Sequence, residues 1–408
     1  MEPWKRTLYI LAFVQLVSAV GMSSIFSFLP LYVDDHGSTT GLSVELLSGL
    51  VFSVQGFTMM IAAPIWGALA DRHGRKMMVI RATLGGGVVV LLMAFARSAE
   101  DLVLLRGIQG FITGVFSALT ALVAASVPRE RMGYALGLLQ VGLWSGVSVG
   151  PLIGGVTADT LGFQAAFFAT AALLTIAGLL VWWGIDEDFT PLPRQTGPAG
   201  FFAVWQHVLS IHGVRITYAA RFMSRLGRTM IFPFTPLFVQ QLMGDTAQTS
   251  TVTGVLLAAS SLAGTFAAIY LGRVGDRVGY RRILILAALA AGALYLPQSL
   301  VSSVWQLGLL LTLTGAAAGG IMPMLSALLA GYTEPGEEGA VFGLESSIMA
   351  GARAISPLIG AALASWFGLR SVYAAAGLVF LSMALLVYYV LPKSEPRPVS
   401  APAPSMDR

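Results

Sequence analysis

The sequence contains no cysteine and no asparagine, and only 11% of its 408 residues carry charge. Without cysteine there can be no disulfide, thiolate metal site or cysteine nucleophile, and without asparagine there is no N-glycosylation acceptor. A phosphate-binding G-x-x-x-x-G-K-[ST] loop is also missing, which disfavours transport powered by ATP within this chain. The sequence therefore predicts no enzyme, metal site or organic cofactor. The histidines show no metal-ligand spacing; they are His36, His73, His207 and His212.

Hydrophobic residues make up 56% of the chain, and the mean hydropathy is +0.78. A soluble protein of this size normally carries about a quarter charged residues. The composition therefore predicts a polytopic membrane protein whose main surroundings are the lipid bilayer. The net charge of +4 is scattered through short loops instead of being gathered on one face, which argues against nucleic-acid binding.

Twelve stretches reach the length of about 20 apolar residues that a helix needs to cross the hydrocarbon layer. The first run is too long for a secretory signal, so we expect it to be retained as a span. The sequence predicts an all-α membrane protein with twelve transmembrane helices. The first six spans lie near 7 to 33, 44 to 70, 77 to 96, 102 to 126, 134 to 158 and 164 to 185, and the second six near 213 to 241, 250 to 272, 283 to 301, 304 to 330, 339 to 364 and 370 to 391.

The two sets of spans are related by an internal duplication. The charged turn around Asp71 returns around Asp276, an offset of 205, while Pro151-Leu152-Ile153-Gly154 returns as Pro357-Leu358-Ile359-Gly360, an offset of 206. We therefore divide the chain into an N-terminal six-helix bundle (1–185), a linker (186–212), a pseudo-symmetric C-terminal six-helix bundle (213–391) and a disordered cytoplasmic tail (392–408). The linker is rich in acid and proline, with a short surface helix expected over 201–209.

Basic residues indicate the orientation of the chain in the membrane. Most lie in loops on the side of the N-terminus, whereas the other loops contain only Arg97 and Arg370. The positive-inside rule places both termini in the cytoplasm. One turn departs from this pattern because it carries Glu334, Glu337 and Glu338. Two parallel six-helix repeats enclose a cavity and favour alternating access by rocking of one half against the other, and because one chain builds this cavity we expect a monomer.

Three motifs resemble those of one transporter family. The turn Gly67-Ala68-Leu69-Ala70-Asp71-Arg72-His73-Gly74-Arg75-Lys76 resembles the signature loop of the major facilitator superfamily, and Arg106-Gly107-Ile108-Gln109-Gly110 resembles its R-x-x-q-G motif. The run from Gly146 to Gly155 is similar to the g-x-x-x-G-P-x-x-G-G motif of its exporters. The resemblance covers the whole chain and points to bacterial drug:proton antiporters. It implies multidrug efflux across the inner membrane, driven by the proton gradient.

Two groups of residues are predicted to control gating. In the signature loop, charges can pair across the cytoplasmic face when that side is closed, and the resemblance implies the same role; topology anchoring is the simpler reading. In the fifth span, small residues at a spacing of four allow close helix packing, and a proline removes a backbone donor. We expect this span to pack against the other half and seal the outer side. The candidates are Gly67, Asp71, Arg72, Gly74, Arg75 and Lys76, with Asp276 in the second loop, and Gly146, Gly150, Pro151 and Gly154. The second loop is the weaker latch because Tyr280 replaces an expected arginine.

Charged residues inside the spans are the candidates for proton coupling, because such charges are costly and face a cavity or a partner. Arg106 is the basic residue expected deep in the first half, where it holds a water or a carboxylate, or else bonds to carbonyls of the first span. Glu345 is the clear mid-span acid, with an arginine of the seventh span as its expected partner. It is either a proton carrier or half of a static bridge. Asp34, beside Asp35 at the end of the first span, is a further candidate, although solvated carboxylates at helix ends are commoner.

The predicted substrate site combines basic, amide and aromatic side chains. Arg221, Arg225 and Arg228 recur on one face of the seventh span, and Arg353 lies on the eleventh. Arg221 is close enough to the cytoplasmic end of the span to snorkel, whereas Arg225 and Arg228 lie deeper. We expect Arg225, Arg228 and Arg353 to contact an anionic or amphipathic substrate. Aromatic and amide side chains suit varied apolar ligands. The chosen residues are Gln55, Gln140, Trp144 and Phe232, and other wall candidates are Phe26, Phe28, Tyr32, Phe52, Met59, Phe116, Phe234 and Met324.

The leading hypothesis is a secondary active transporter that exports lipophilic or amphipathic drugs by proton-coupled alternating access. The alternative is proton-coupled transport of an anionic metabolite, a sugar or a lipid-like amphiphile, which the seventh-span arginines favour. A membrane enzyme and a transporter-shaped receptor without turnover belong to other classes. Proton movement on substrate addition separates a carrier from a receptor.

Overall fold

The computed structural model describes residues 2–187, 210–244, 247–333 and 338–392. The helix expected over 201–209, the acidic residues Glu334 and Glu337, and the tail from 393 onwards lie outside the described residues. Within these ranges the chain is almost entirely helical and contains no strand. The predicted fold of twelve spans in two six-helix halves is confirmed.

The first half consists of six spans, three of which are interrupted. The first span is Pro3–Ser24, a 3₁₀ turn Ile25–Ser27 and Leu29–His36. The second is Val44–His73. The third is Arg75–Ile80, a π-helical turn Arg81–Gly85 and Gly86–Met93. The fourth is Ala99–Ile112 and Val115–Ser126, the fifth Met132–Leu161 and the sixth Phe163–Gly184.

The second half repeats this order. Its seventh span is His212–Thr229 and Thr235–Met243, the eighth Thr249–Val278, the ninth Tyr280–Gln298, the tenth Val304–Gly319 and Ile321–Tyr332, the eleventh Glu338–Phe367 and the twelfth Leu369–Val390. In the described part of the chain, eleven of the spans are long and apolar enough, by length and composition, to cross a membrane. The seventh span is the exception because four arginines lie within His212–Thr229.

The duplication is visible in the local geometry of equivalent positions. Pro30 and Pro236 each occupy the first turn of a new helix, so the first and seventh spans both break just before them. Gly74 and Gly279 end the second and eighth spans with φ angles of 89° and 104°. This left-handed region favours glycine because other residues meet a Cβ clash there. The same residue types therefore make the same turns in both halves.

The two halves contact each other near one face of the membrane. An even number of crossings brings the chain in and out on the same side, which we call the terminal face; the other side is the opposite face. Contacts between halves join the second span to the eleventh and the fifth to the eighth. A Cβ at Gly49 would lie 2.5 Å from Ala361, and one at Gly254 would lie 2.3 Å from the Pro151 carbonyl oxygen. The helix backbones are thus in direct contact near the opposite face.

The same helix faces are apart near the terminal face. Successive residues of an α-helix turn by about 100°, so positions 7, 11 or 18 apart share a face. On that basis Gly67 continues the face of Gly49, Gly137 that of Gly155, and Gly272 that of Gly254. A Cβ at Gly67, Gly137 or Gly272 would meet no atom within 4 Å. A gap therefore separates the halves and narrows towards the opposite face.

Close packing within the first half can be tested at the fifth span. We expect Gly154→Ala to lower the thermal stability of the detergent-solubilised protein by several degrees, because the new Cβ would lie 2.1 Å from the Ser24 carbonyl oxygen. Overpacking of this kind typically costs about 1–3 kcal/mol. Gly137→Ala, on the same helix with no atom within 4 Å, is the matched control and should be neutral or slightly stabilising. Equal melting temperatures for the two variants would contradict this account.

Candidate transport site

An ion pair joins two spans of the second half beside the gap. Arg221 on the seventh span donates from Nη1 to Oε1 of Glu345 on the eleventh, and its Nη2 donates to the hydroxyl of Ser326 on the tenth, at 2.7 Å. The Arg221 side chain is buried, whereas Glu345 remains partly accessible. The expected pairing of Glu345 with a seventh-span arginine is observed. The partner is Arg221, which bonds inside the protein instead of snorkelling to the surface.

Three further arginines form a positively charged group deeper in the second half. Arg225 lies one turn beyond Arg221, and its charge is within electrostatic range of Arg228 and Arg353. None of these three guanidinium groups has a carboxylate within 4 Å among the described residues. The Nε of Arg225 is buried and lacks a hydrogen-bond partner. Positive charges without counter-ions inside a membrane protein can attract an anionic group.

Arg106 is held by amides, and not by the carboxylate or the first-span carbonyls that the sequence suggested as partners. Its Nη1 donates to Oε1 of Gln55 at 3.0 Å and to Oε1 of Gln109 at 2.9 Å. The guanidinium lies 5.3 Å from the ring centre of Phe52, and its Nε and Nη2 are buried without a partner. The described residues thus provide this cation with neither a carboxylate nor carbonyls of the first span, because the second and fourth spans lie next to it.

A second basic residue, Arg81, lies deep in the first half, whereas the sequence indicated Arg106 alone. Arg81, in the π-helical turn of the third span, stacks on Trp66 with its guanidinium carbon 3.5 Å from the ring centre. Trp66 in turn donates its indole N–H to the Phe111 carbonyl oxygen at 2.6 Å. An aromatic face can stabilise a cation at this depth. Arg81 lies only two turns from the start of its span, so the sequence alone did not indicate that its guanidinium is buried.

Three phenylalanines close the gap on its opposite-face side. Phe26 lies in the 3₁₀ turn of the first span, and Phe232 lies in the break of the seventh span. Their ring centres are 5.7 Å apart, and Phe26 is 5.8 Å from Phe52 on the second span. The repeat thus brings equivalent aromatic residues of the two halves together. They form an apolar barrier one turn beyond Arg228.

The two chosen residues of the fifth span lie on the terminal-face side of this barrier. Gln140 and Trp144 share a helix face with Pro151, whose backbone contacts the eighth span. Both are exposed, with 46% of Trp144 accessible. Their helix face therefore borders the gap at the level where the halves have separated.

Asp34 lies away from this region, near the opposite face. It lines a pocket of about 560 Å³ together with Glu45 and residues of the second half. Its carboxylate accepts a hydrogen bond from the Gln240 side chain at 3.2 Å. The structure thus separates Asp34 from Glu345 and from the arginine group.

The signature loop makes no described side-chain contact with the second half. Arg72 is exposed, and the side chain of Asp71 lies outside the described part of the structure. The backbone N–H groups of Arg75 and Lys76 donate to the two carboxylate oxygens of Glu187 at 2.9 and 2.8 Å. Glu187 therefore caps the third span from the end of the sixth. The sequence pattern assigns Glu187 to the linker (186–212), and the structure uses this residue as a cap for the first half.

The second loop also makes a local contact. The Tyr280 hydroxyl donates to Oδ1 of Asp276 at 2.9 Å within the terminal-face turn. The residue that departs from the motif thus bonds the loop's aspartate directly.

The glycines of the fifth span face their own half more than the other half. Cβ atoms at Gly146, Gly150 and Gly154 would lie within 2.7 Å of backbone or side-chain atoms of the first span. Within this motif Pro151, Leu152 and Gly155 contact the eighth span, so the fifth span does pack on the other half but through a different face. The segment 146–150 also fits G-x-S-x-G, but Ser148 is buried within a helix and is no exposed nucleophile.

The fold and the gap define a class of protein, namely a two-domain multi-pass carrier with its candidate site between the halves. The sequence matches the family model of the Major Facilitator Superfamily over residues 11–220 and again over 217–405. The chain belongs to this superfamily, and it is a transport protein. The paired matches agree with the internal duplication.

Individual relatives narrow the resemblance. The chain is 35% identical to the multidrug resistance protein MdtG of Salmonella typhimurium over 373 residues, covering 91% of each protein. It is 34% identical to the protein of the same name from Yersinia enterocolitica over 388 residues, covering 95% of this chain and 94% of that protein. Among solved structures, it resembles a bacterial homolog of the human lysosomal transporter Spinster in an inward-facing, occupied conformation. That likeness has a TM-score of 0.75 at 14% identity, covers 95% of this chain and 97% of the other, and concerns the fold.

Proposed function

We propose that the protein exports lipophilic or amphipathic drugs across the bacterial inner membrane in exchange for protons, by alternating access, as a monomer without a bound cofactor. The gap between the halves carries this proposal, because it is bordered by aromatic, amide and charged side chains and is closed at one face. The names of the MdtG relatives support drug efflux. The terminal face, with both termini, is assigned to the cytoplasm by the distribution of basic residues.

Glu345 is the proposed proton carrier. Its carboxylate is partly accessible beside the gap and is bonded to Arg221, so protonation would weaken this pair. Release of Arg221 and neutralisation of Glu345 would alter the contacts between the seventh, tenth and eleventh spans. Arg106 and Asp34 are the remaining candidates, and neither has a described carboxylate–arginine pairing of this kind.

The substrates that fit the gap best carry an anionic group on an apolar body, which favours the second candidate function. Arg225, Arg228 and Arg353 supply positive charge without a described counter-ion, and the aromatic residues Phe26 and Phe232 supply the apolar wall. A carboxylate or phosphonate would accept charge-assisted hydrogen bonds from guanidinium groups. An amphipathic cation would meet repulsion at the same place.

The test is substrate-driven proton movement in proteoliposomes that contain a pH-sensitive dye. An imposed proton gradient should drive uphill accumulation of an amphipathic substrate, and a protonophore should reduce that accumulation to the level of empty liposomes. An amphipathic cation and an organic anion of similar size are compared in parallel, and the anion is expected to produce the larger flux. Equilibration of both compounds without proton movement would contradict proton coupling.

A further inference from the structure

A carboxylate at the end of the fifth span binds the beginning of the eighth span in the other half. Oδ2 of Asp159 accepts the backbone N–H of Thr251 at 2.6 Å, and Oδ1 accepts that of Ser250 at 3.2 Å. These N–H groups lie in the first turn of Thr249–Val278, where a helix has no internal acceptors. The positive end of the helix dipole also favours an acid at this place. Asp159 therefore caps a helix that belongs to the other half.

Unlike its counterpart, the second span, which is capped by a residue of its own half, the eighth span is capped from the other half. Its own N-cap residue, Gln248, makes no side-chain capping bond. The equivalent second span is capped by its own Ser43, whose hydroxyl accepts from the Leu46 N–H. At the second span a capping acceptor comes from the helix's own start, whereas at the eighth span Asp159 supplies two acceptor oxygens from across the interface.

The cap is tied to the closed state of the opposite face. One turn from Asp159, a Cβ at Gly155 would lie 2.1 Å from the Ser250 carbonyl oxygen, so the two backbones touch there. Towards the terminal face, Gly137 and Gly272 continue the same two helix faces with no atom within 4 Å. Separation of the fifth and eighth spans near the opposite face would remove both carboxylate bonds and leave the two N–H groups without that partner.

We infer that Asp159 is a gating residue whose carboxylate latches the opposite face shut and so sets the balance between the two access states. This inference rests on the proposed alternating access. Asp159 performs on the fifth and eighth spans the holding role that the sequence motifs assign to the signature loop at the other face. It contacts neither the arginine group nor Glu345.

Thiol accessibility tests this role, because the absence of cysteine makes a single introduced cysteine an unambiguous reporter. The reporter is Leu152→Cys, which lies on the terminal-face side of Asp159 in the contact between the fifth and eighth spans. The Leu152 Cα would lie 3.0 Å from a Cβ at Gly254. A membrane-impermeant maleimide is applied to intact cells that express the full chain. We expect Asp159→Ala to raise the labelling rate about two- to thirtyfold, the range that follows from loss of a helix cap. Asp159→Asn, which keeps one acceptor oxygen, should give a smaller increase.

The matched control is Thr160→Val, whose native hydroxyl is exposed and bonds only to the Val156 carbonyl oxygen of its own helix. It should label like the parent. A second reporter, Leu119→Cys, is fully buried within the first half and detects unfolding. If Asp159→Ala raises the labelling of both reporters, that variant has unfolded. The labelling of Asp159→Asn then tests the latch in its place. Unchanged labelling of Leu152→Cys in an Asp159 variant that keeps Leu119→Cys protected would overturn the inference.

This readout requires neither substrate nor a proton gradient, so it separates the two proposals. If Asp159→Ala does not raise the labelling of Leu152→Cys in a protein that still couples drug transport to proton movement, the latch alone is rejected. A chain that shows no coupled transport in proteoliposomes rejects the proposed function, whatever the labelling result.

Discussion

Replacement of Glu345 by glutamine is expected to reduce drug-driven proton flux in proteoliposomes to the level of empty vesicles. Glutamine retains the length of the side chain and an acceptor oxygen, but it cannot carry a proton through a cycle. Arg221 would remain buried with Ser326 as its described neutral partner. Removal of one member of a buried ion pair costs up to about 3–5 kcal/mol, so the melting temperature should also fall by several degrees.

The double variant Arg221→Gln/Glu345→Gln distinguishes proton transfer from structural support. Without either charge no unpaired ion is buried, so thermal stability should return close to that of the parent. Proton flux should stay absent, because the carboxylate is still missing. Recovery of flux in the double variant would mean that the pair is a static bridge, and normal coupling in Glu345→Gln would move the proton site elsewhere.

Substitution of Arg225 or Arg353 by glutamine is expected to impair efflux of organic anions while raising thermal stability. A hydrogen bond to a charged group contributes about 1.5–3 kcal/mol, or roughly a ten- to hundredfold loss of apparent affinity when it is removed. Transport of an amphipathic cation should be unchanged or improved. The native arrangement places Arg225 within range of Arg228 and Arg353 without a described counter-ion, so loss of one charge relieves repulsion. We expect the melting temperature to rise by about 2 °C or more.

Arg221→Gln is the matched control, because it changes the same residue type on the same helix. Its expected change in melting temperature has the opposite sign. Arg221 is paired, so its loss leaves Glu345 without a partner and should lower the melting temperature. Anion and cation transport should then fall together. A decrease in stability for Arg225→Gln, or equal effects on anion and cation transport, would contradict a cavity built for an anionic group.

The sequence predicted the helices, the duplication and the charged residues that lie within the spans, because these features depend on local chemistry. About 20 apolar residues without a strong breaker must span a bilayer as a helix. The charged turns around Asp71 and Asp276 and the repeated Pro-Leu-Ile-Gly segments at 151–154 and 357–360 identified the two halves. The spacing of Arg221, Arg225 and Arg228 placed three bases on one helical face, and the structure has all three inside the second half.

The partners of those residues could not be read from the pattern. Helical periodicity assigns a residue to a face, but it does not identify the helix opposite that face. Arg221 rather than Arg225 pairs with Glu345, and Arg106 bonds to Gln55 and Gln109 rather than to an acid or the first span. The burial of Arg81 against Trp66 depends equally on neighbours distant in sequence.

The state of the carrier was decided by the tertiary structure alone. Two equivalent six-helix halves can meet at either face, and the sequence contains small residues for both contacts. In this structure Gly49 and Gly254 are in backbone contact while Gly67 and Gly272 are free. The balance depends on contacts between the halves, such as the carboxylate of Asp159 on Ser250 and Thr251. By itself the sequence determined the membrane fold, its repeat and its buried charges, because these follow from hydrophobicity and local geometry, whereas only packing between distant helices could decide the pairings and the closed face.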